Sequence, residues 1–146
     1  MIRVVLDVNV IVSATIAAQG ASRNVLQRAQ ASDYNLLISE GMIGVVAAKL
    51  RLPRIAGRYG LSDSDIGAVV DTLFVVADVV TVAPRHLTTL TGDPEDDFVL
   101  ATCVAGRAAY LVTGDKVLCG LRQHEDTHIL TPQAFLKVLE ETAGNG

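Results

Sequence analysis

The stretch Gly92–Phe98, GDPEDDF, places Asp93, Glu95, Asp96 and Asp97 within five consecutive positions. Asp93 followed by Pro94 reads as an N-cap with a proline at the first helical position. A helix N-terminus stabilises one acid by about 0.3–1 kcal/mol, which accounts for Asp93 and leaves the other three without a partner. Two further acids directly follow runs that read as buried strands: Asp7 in VVLDVNV, after Ile2–Leu6, and Asp115 in LVTGD, after Ala109–Thr113. Singly, each is an ordinary turn or cap residue. In an open parallel sheet, however, ligands collect at the carboxyl ends of the strands. If the two strands are parallel neighbours, Asp7, Asp115 and the first-turn acid Asp96 reach one edge of the sheet. Carboxylates brought that close raise one another's pKa or require a cation between them. A hard divalent ion with oxygen ligands, Mg²⁺ or Mn²⁺, suits such a set.

The elements that must position these acids alternate along the chain. Ile2–Leu6 is β-branched and apolar, and Ser22–Ser32 spaces Val25, Leu26 and Ala29 as one face of a helix. Asn35–Ser39 reads as a second strand, followed by an apolar helix through Leu52 that Pro53 stops. Ser62, with Asp65 three residues later, approximates a capping box for a helix over IGAVVDTLFVV. Val79–Ala83 is the next predicted strand. The helix from Asp93-Pro94 to about Gly106, the strand Ala109–Thr113, a short strand His128–Leu130 and a closing helix from Thr131-Pro132 complete the order. Strands separated by helices imply an α/β fold with a mainly parallel sheet and helices on both faces.

With 146 residues, half of them hydrophobic, the chain suits one domain with a real core, expected over residues 1–142 with a frayed tail at 143–146. Its formal net charge of −4 argues against a nucleic-acid surface over the whole molecule. Contact with phosphates must then be local, and Lys49, Arg51, Arg54 and Arg58 form the one dense basic stretch, with Arg85-His86 a smaller one. A solvated face explains the same charges equally simply. Two cysteines, Cys103 and Cys119, make no disulfide framework and read as buried thiols in a reducing, cytoplasmic setting. The apolar run Val8–Ala18 imitates a signal peptide, but Asp7 and Asn9 at its entrance argue against secretion. No stretch is long enough to span a membrane.

Three segments together, LDVNVIVSA, GDPEDDFVLATCVAGRAAYLVTGD and HILTPQAFL, resemble the PIN-domain family, in particular its bacterial VapC-type toxin ribonucleases. The resemblance implies a three-layer α/β/α sandwich and an acid cluster binding Mg²⁺ or Mn²⁺. By motif, Asp7, Asp96 and Asp115 would be the metal ligands. Asn9 and Ser13 would orient the first acid and water, Thr113 would line the site, and Asp93 and Asp97 would support it. It further implies cleavage of single-stranded RNA to 5′-phosphate and 3′-hydroxyl ends, a cognate antitoxin protein as partner, and a homodimer. The family places a second acid, a Glu, five residues before the leucine that precedes an Arg-x-Pro. Here that leucine is Leu50, and the position holds Val45, beside Gly44. Glu40 is the only acid in the helix, one turn before Gly44 and roughly 140° round from Val45 at about 100° per residue. Either Glu40 completes the catalytic set or one ligand is absent, in which case the domain binds RNA or a partner without cutting.

One rival motif remains. His124–His128, HEDTH, matches the H-E-x-x-H zinc signature, in which two histidines one helical turn apart hold Zn²⁺. Asp126 and Thr127 are weak helix formers and Pro132 follows closely, so a surface loop is expected instead. No Ser/His/Asp or Cys/His arrangement is evident.

Overall fold

Three short, largely apolar runs form the centre of the sheet: β1 (Arg3–Leu6), β2 (Asn35–Ile38) and β4 (Tyr110–Val112). Val4, Val5, Leu6, Leu37, Ile38, Leu111 and Val112 are fully buried, so both sheet faces are covered, as parallel strands require. The computed structural model describes residues 1–144, and in it the chain forms a six-stranded sheet of order β3-β2-β1-β4-β6-β5. With β3 (Asp78–Val79) at one edge, every pairing is parallel except that of β5 (Gln123–His124) with β6 (Thr127–Leu130).

Connections that step towards β3 run through α1 (Val8–Ile16), α2 (Ala21–Gln30), α3 (Glu40–Arg51), α4 (Pro53–Tyr59) and α5 (Asp63–Val76). The return from β3 to β4 uses α6 (Pro94–Gly106), which packs on β1 and β2. Right-handed crossovers in opposite directions put α6 on the face opposite the first group. After α7 (Lys116–Leu121) and the β5-β6 hairpin, α8 (Pro132–Gly144) packs back on α2. The result is the expected α/β/α sandwich, and β1 beside β4 is where strand order reverses. A parallel sheet has its natural ligand crevice at that switch point.

Local chemistry explains how the elements begin. Ser62 and Asp65 form the expected capping box, each side chain accepting from the other's backbone N–H. Ser39 caps α3 through Met42 N–H and shares a buried 3.0 Å hydrogen bond with Thr102 of α6. Gly41 lets α3 approach α6: a Cβ there would stand 2.8 Å from the Phe98 ring.

Several expectations are corrected. Pro53 ends α3 but also opens α4 at its first position, where its missing N–H costs nothing. The strand expected at Val79–Ala83 is reduced to β3, Asp78–Val79, an exposed edge followed by a 3-10 turn at Pro84–His86. The tail expected from residue 143 lies partly in α8, and residues 145–146 fall outside the described residues. Cys103 is buried but Cys119 is half-buried, donating through its thiol to Thr113 O. Among the described residues no helix is long and apolar enough to cross a membrane.

Candidate active site at the sheet switch point

The parallel pairing of β1 with β4 fixes the first two acids. Leu6 lies opposite Val112, and Asp7 N–H extends the ladder by donating to Val112 O at 2.9 Å. Asp7 is 2% exposed, and its Oδ2 accepts a 2.6 Å hydrogen bond from the buried Thr113 hydroxyl. The same hydroxyl oxygen accepts from Asp115 N–H at 3.0 Å. One threonine thus holds the side chain of the first acid and the backbone of the other. Asp115 Oδ1 in turn caps α7 by accepting from Leu118 N–H.

The third acid arrives from α6. Burial, followed by the negative charges of Asp115, Asp93, Asp7 and Glu95, pushes Asp96 up to about 6. That influence ties Asp96 to Asp7 and Asp115 across the sequence. Burial also raises Asp7, with Asp115 adding to the rise and the Thr113 hydroxyl and Lys49 opposing it. Among the described residues the Asp96 carboxylate makes no hydrogen bond.

The four neighbouring acids of GDPEDDF therefore do different work. Asp93 caps α6 through Glu95 N–H. Asp97 accepts from both the N–H and the hydroxyl of Thr91, pinning the loop before the helix, and the Thr91 amide holds its carboxyl below the ordinary range. Glu95 pairs with Lys49 Nζ at 2.6 Å, and the same ammonium donates to Asn9 Oδ1 at 3.0 Å. Asn9 and Ser13 are exposed on α1, where they line a cleft of about 270 Å³ with Gly114 and Asp115.

Glu40 does not join this group. It is exposed at the start of α3 and lines a separate cleft with Phe98 and Val80. It does not contribute to the charge that shifts Asp7 or Asp96. Val45 packs against the core, and Lys49, one turn further along α3, is the residue that reaches the acids. Sequence reasoning placed Lys49 with the exposed basic stretch; only its position four residues after Val45 hinted at the site. Arg51 approaches Asp63 at 3.9 Å, Arg58 lies over the Tyr59 ring, and Arg54 is exposed.

The donors fit a hard divalent ion in chemical type: three carboxylates, two of them raised and one unpartnered. Asp115 commits Oδ1 to Leu118 N–H, and Asp7 commits Oδ2 to the Thr113 hydroxyl with the Val8 amide also favouring its charged form. Among the described residues no three His, Cys, Asp or Glu side chains stand as a closed metal-holding group.

The zinc reading of His124–His128 lacks its helix. The segment is the β5-β6 hairpin, with Glu125 and Asp126 at its turn, His124 opposite Thr127 and His128 opposite Gln123. His86 accepts from Ala83 N–H through Nδ1, a local structural role.

A three-layer α/β/α domain with acids at the carboxyl ends of adjacent parallel strands is the class that fold and geometry define. The PIN domain family matches residues 3–117, most of the chain, and the chain belongs to that family. Among solved structures it is similar to a chain of VapBC2 from Rickettsia felis, a complex bound to a DNA fragment from its promoter. The TM-score is 0.59 at 13% identity, over 88% of this chain and 97% of that one, which shows a shared fold. No curated protein matches it.

Proposed function

We propose that this protein is a Mg²⁺- or Mn²⁺-dependent endoribonuclease that hydrolyses phosphodiester bonds of single-stranded RNA, acting as the toxin of a toxin–antitoxin pair. The observation that carries the reading is the joining of Asp7 and Asp115 through Thr113, with Asp96 feeling the charge of both. Membership of the PIN family supports nuclease chemistry, and the fold shared with VapBC2 supports a VapC-like role with an antitoxin partner.

Asp7, Asp96 and Asp115 would hold the ion, which when bound supplies a Lewis acid able to polarise the phosphate and lower the pKa of water. Thr113 fixes the orientation of Asp7. Asn9 and Ser13 line the approach beside Asp115, placed to hydrogen-bond water or a phosphate oxygen. Arg51, Arg54 and Arg58 give a local positive face for the RNA backbone on an otherwise acidic molecule. Hydrolysis by activated water leaves a 5′-phosphate and a 3′-hydroxyl.

A protein partner suits the face formed by α1, α2 and α5. There a groove of about 280 Å³ is lined by Ile11, Leu26, Val69, Leu73 and Val76 with Arg23 at its side. Phe74 and Val75 of α5 are 47% and 84% exposed. Antitoxin binding, and homodimer formation through the helices, would cover such apolar surface. The cytoplasm, where RNA and reduced thiols coexist, is the proposed location.

A second reading has its own observation. Val45 stands where the family carries its second acid, and a lysine reaches the acids from the next turn. In that reading the domain binds RNA or a partner without cutting it. Cleavage of labelled single-stranded RNA after EDTA treatment and Mn²⁺ add-back separates the two. Wild-type cleavage supports the nuclease; an inert wild type with an active Val45→Glu variant supports the binding module.

A further inference from the structure

Separate elements converge beside Asp115 on the cleft of about 270 Å³. Asn9 and Ser13 come from α1, Ser22 from the first turn of α2, Gly114 from the loop after β4, and Pro132 from the start of α8. The hydrolysis itself does not use Ser22. Its place is fixed by the next residue: Arg23 donates to Ala14 O at 3.3 Å and to Ala17 O at 3.0 Å, which pins the start of α2 to the end of α1. Ser13 and Ser22 line the cleft with hydroxyls that, among the described residues, have no partner in the protein. Asn9 Oδ1 is taken by Lys49, which leaves its amide N–H groups as donors. Among the described residues no lysine or arginine lines the cleft. Gly114 leaves it open: its backbone is not left-handed, and a Cβ there would meet no atom beyond its chain neighbours within 4 Å.

Neutral hydroxyls and an amide, with one carboxylate and no cation, make a poor seat for a phosphate and a good one for an uncharged group that carries hydroxyls. The cleft is also small, below the range of roughly 300–1,000 Å³ usual for whole ligands, which suits one sugar rather than a length of strand. A strand whose phosphate sits at the acids brings an adjoining sugar beside Asp115. The ribose 2′-hydroxyl, donor and acceptor at once, is the group by which a protein tells RNA from DNA. We propose that this cleft is a ribose subsite flanking the scissile phosphate, in which the Ser22 hydroxyl hydrogen-bonds the 2′-hydroxyl and selects RNA over DNA. The proposal deepens, and rests on, the reading of the three acids as a nuclease site. Ser22 is a specificity-determining residue in it, and Gly114 keeps the space that the sugar occupies.

The test deletes the contact from both sides. Full-length wild type, Ser22→Ala, Ser22→Thr and Gly114→Ala, each shown to be folded by a thermal melt, are compared in Mn²⁺ on a short labelled RNA. Copies of that RNA carry a 2′-deoxy sugar at each position in turn. For wild type, the copy altered next to the cleavage point should lose about five- to tenfold in kcat/KM. Ser22→Ala should lose about the same factor on the unaltered RNA and nothing further on that copy, and Ser22→Thr should retain the wild-type pattern. Losses that multiply place the 2′-hydroxyl elsewhere and overturn the proposal. Gly114→Ala, whose methyl group the protein itself accommodates, should lower kcat/KM on RNA about tenfold. A Gly114→Ala variant as fast as wild type leaves the cleft empty during cleavage, which also overturns the proposal. Equal rates on RNA and on the all-deoxy strand by wild type overturn the selection. A wild type that cuts neither strand overturns the nuclease reading and the proposal with it, an outcome distinct from the others.

Discussion

Thr113 connects the two strand-end acids through a single hydroxyl. Replacing it with valine removes the donor to Asp7 and the acceptor for Asp115 N–H while keeping the shape. Cleavage should fall about 10–100-fold in Thr113→Val and recover largely in Thr113→Ser, measured as kcat on a short RNA. Asp96 gives a pH dependence. Its pKa of about 6 in the metal-free protein lies above its ordinary value, so a proton competes with the ion and Mn²⁺ binding should weaken as pH falls below about 6. For folding, the sign is opposite to that of a salt-bridged acid. Ionised Asp96 destabilises the metal-free protein fully above its folded pKa, and the penalty disappears below the unfolded value. Asp96→Asn should therefore melt higher than wild type in EDTA at pH 7, with the gain vanishing near pH 4. An unchanged melting temperature at pH 7 would contradict the crowding of charge at Asp96. The places of Asp7 and Asp115 at strand ends and of Asp96 in the first turn of α6 were legible in the sequence, because strand ends and a capped helix start announce themselves. The tether of Asp97 to Thr91 and the reach of Lys49 were not, since both depend on where side chains point across the folded structure.

At the scale of elements, α3 and α6 meet through Ser39. Its hydroxyl caps α3 and pairs with Thr102, both buried. Ser39→Ala loses the cap and leaves the Thr102 hydroxyl to its bond with Phe98 O alone, which should cost about 1–2 kcal/mol in urea denaturation. The strands β1, β2 and β4 could be read because each is a continuous apolar run bounded by polar turns. Helix α1 could not: Val8, Val10, Ile11, Val12 and Ala14 are all buried, and the exposed Asn9 and Ser13 make a polar face too narrow to mark a helix. Helix α7 has six residues, too few for a period to show. Pro53 was legible as a stop and not as a start, because a proline at a helix N-terminus has the same local effect on the residue before it. The β5-β6 hairpin was hidden because its outer strand is two residues long and its turn carries Glu125 at φ 51° rather than a glycine.

Over the whole molecule, a net charge of −4 means that the proposed RNA recognition would fall on a small basic face. Joint replacement of Arg51, Arg54 and Arg58 by alanine should raise KM for single-stranded RNA and flatten its salt dependence, with kcat little changed. Equal salt slopes for the variant and wild type would place the RNA elsewhere. The order of strands and helices, and so the sandwich, followed from alternation along the chain. The reversal between β1 and β4 is the global feature that gathers acids 7, 96 and 115, and sequence could anticipate it only through the assumption that their strands are neighbours. The most direct measurement is cleavage of labelled single-stranded RNA by EDTA-treated protein with Mn²⁺ or Mg²⁺ restored, comparing wild type with Asp96→Asn. The account predicts cleavage that returns with the ion in wild type and is reduced at least about 100-fold in Asp96→Asn. Cleavage that persists in EDTA, or an Asp96→Asn variant as active as wild type, would contradict it.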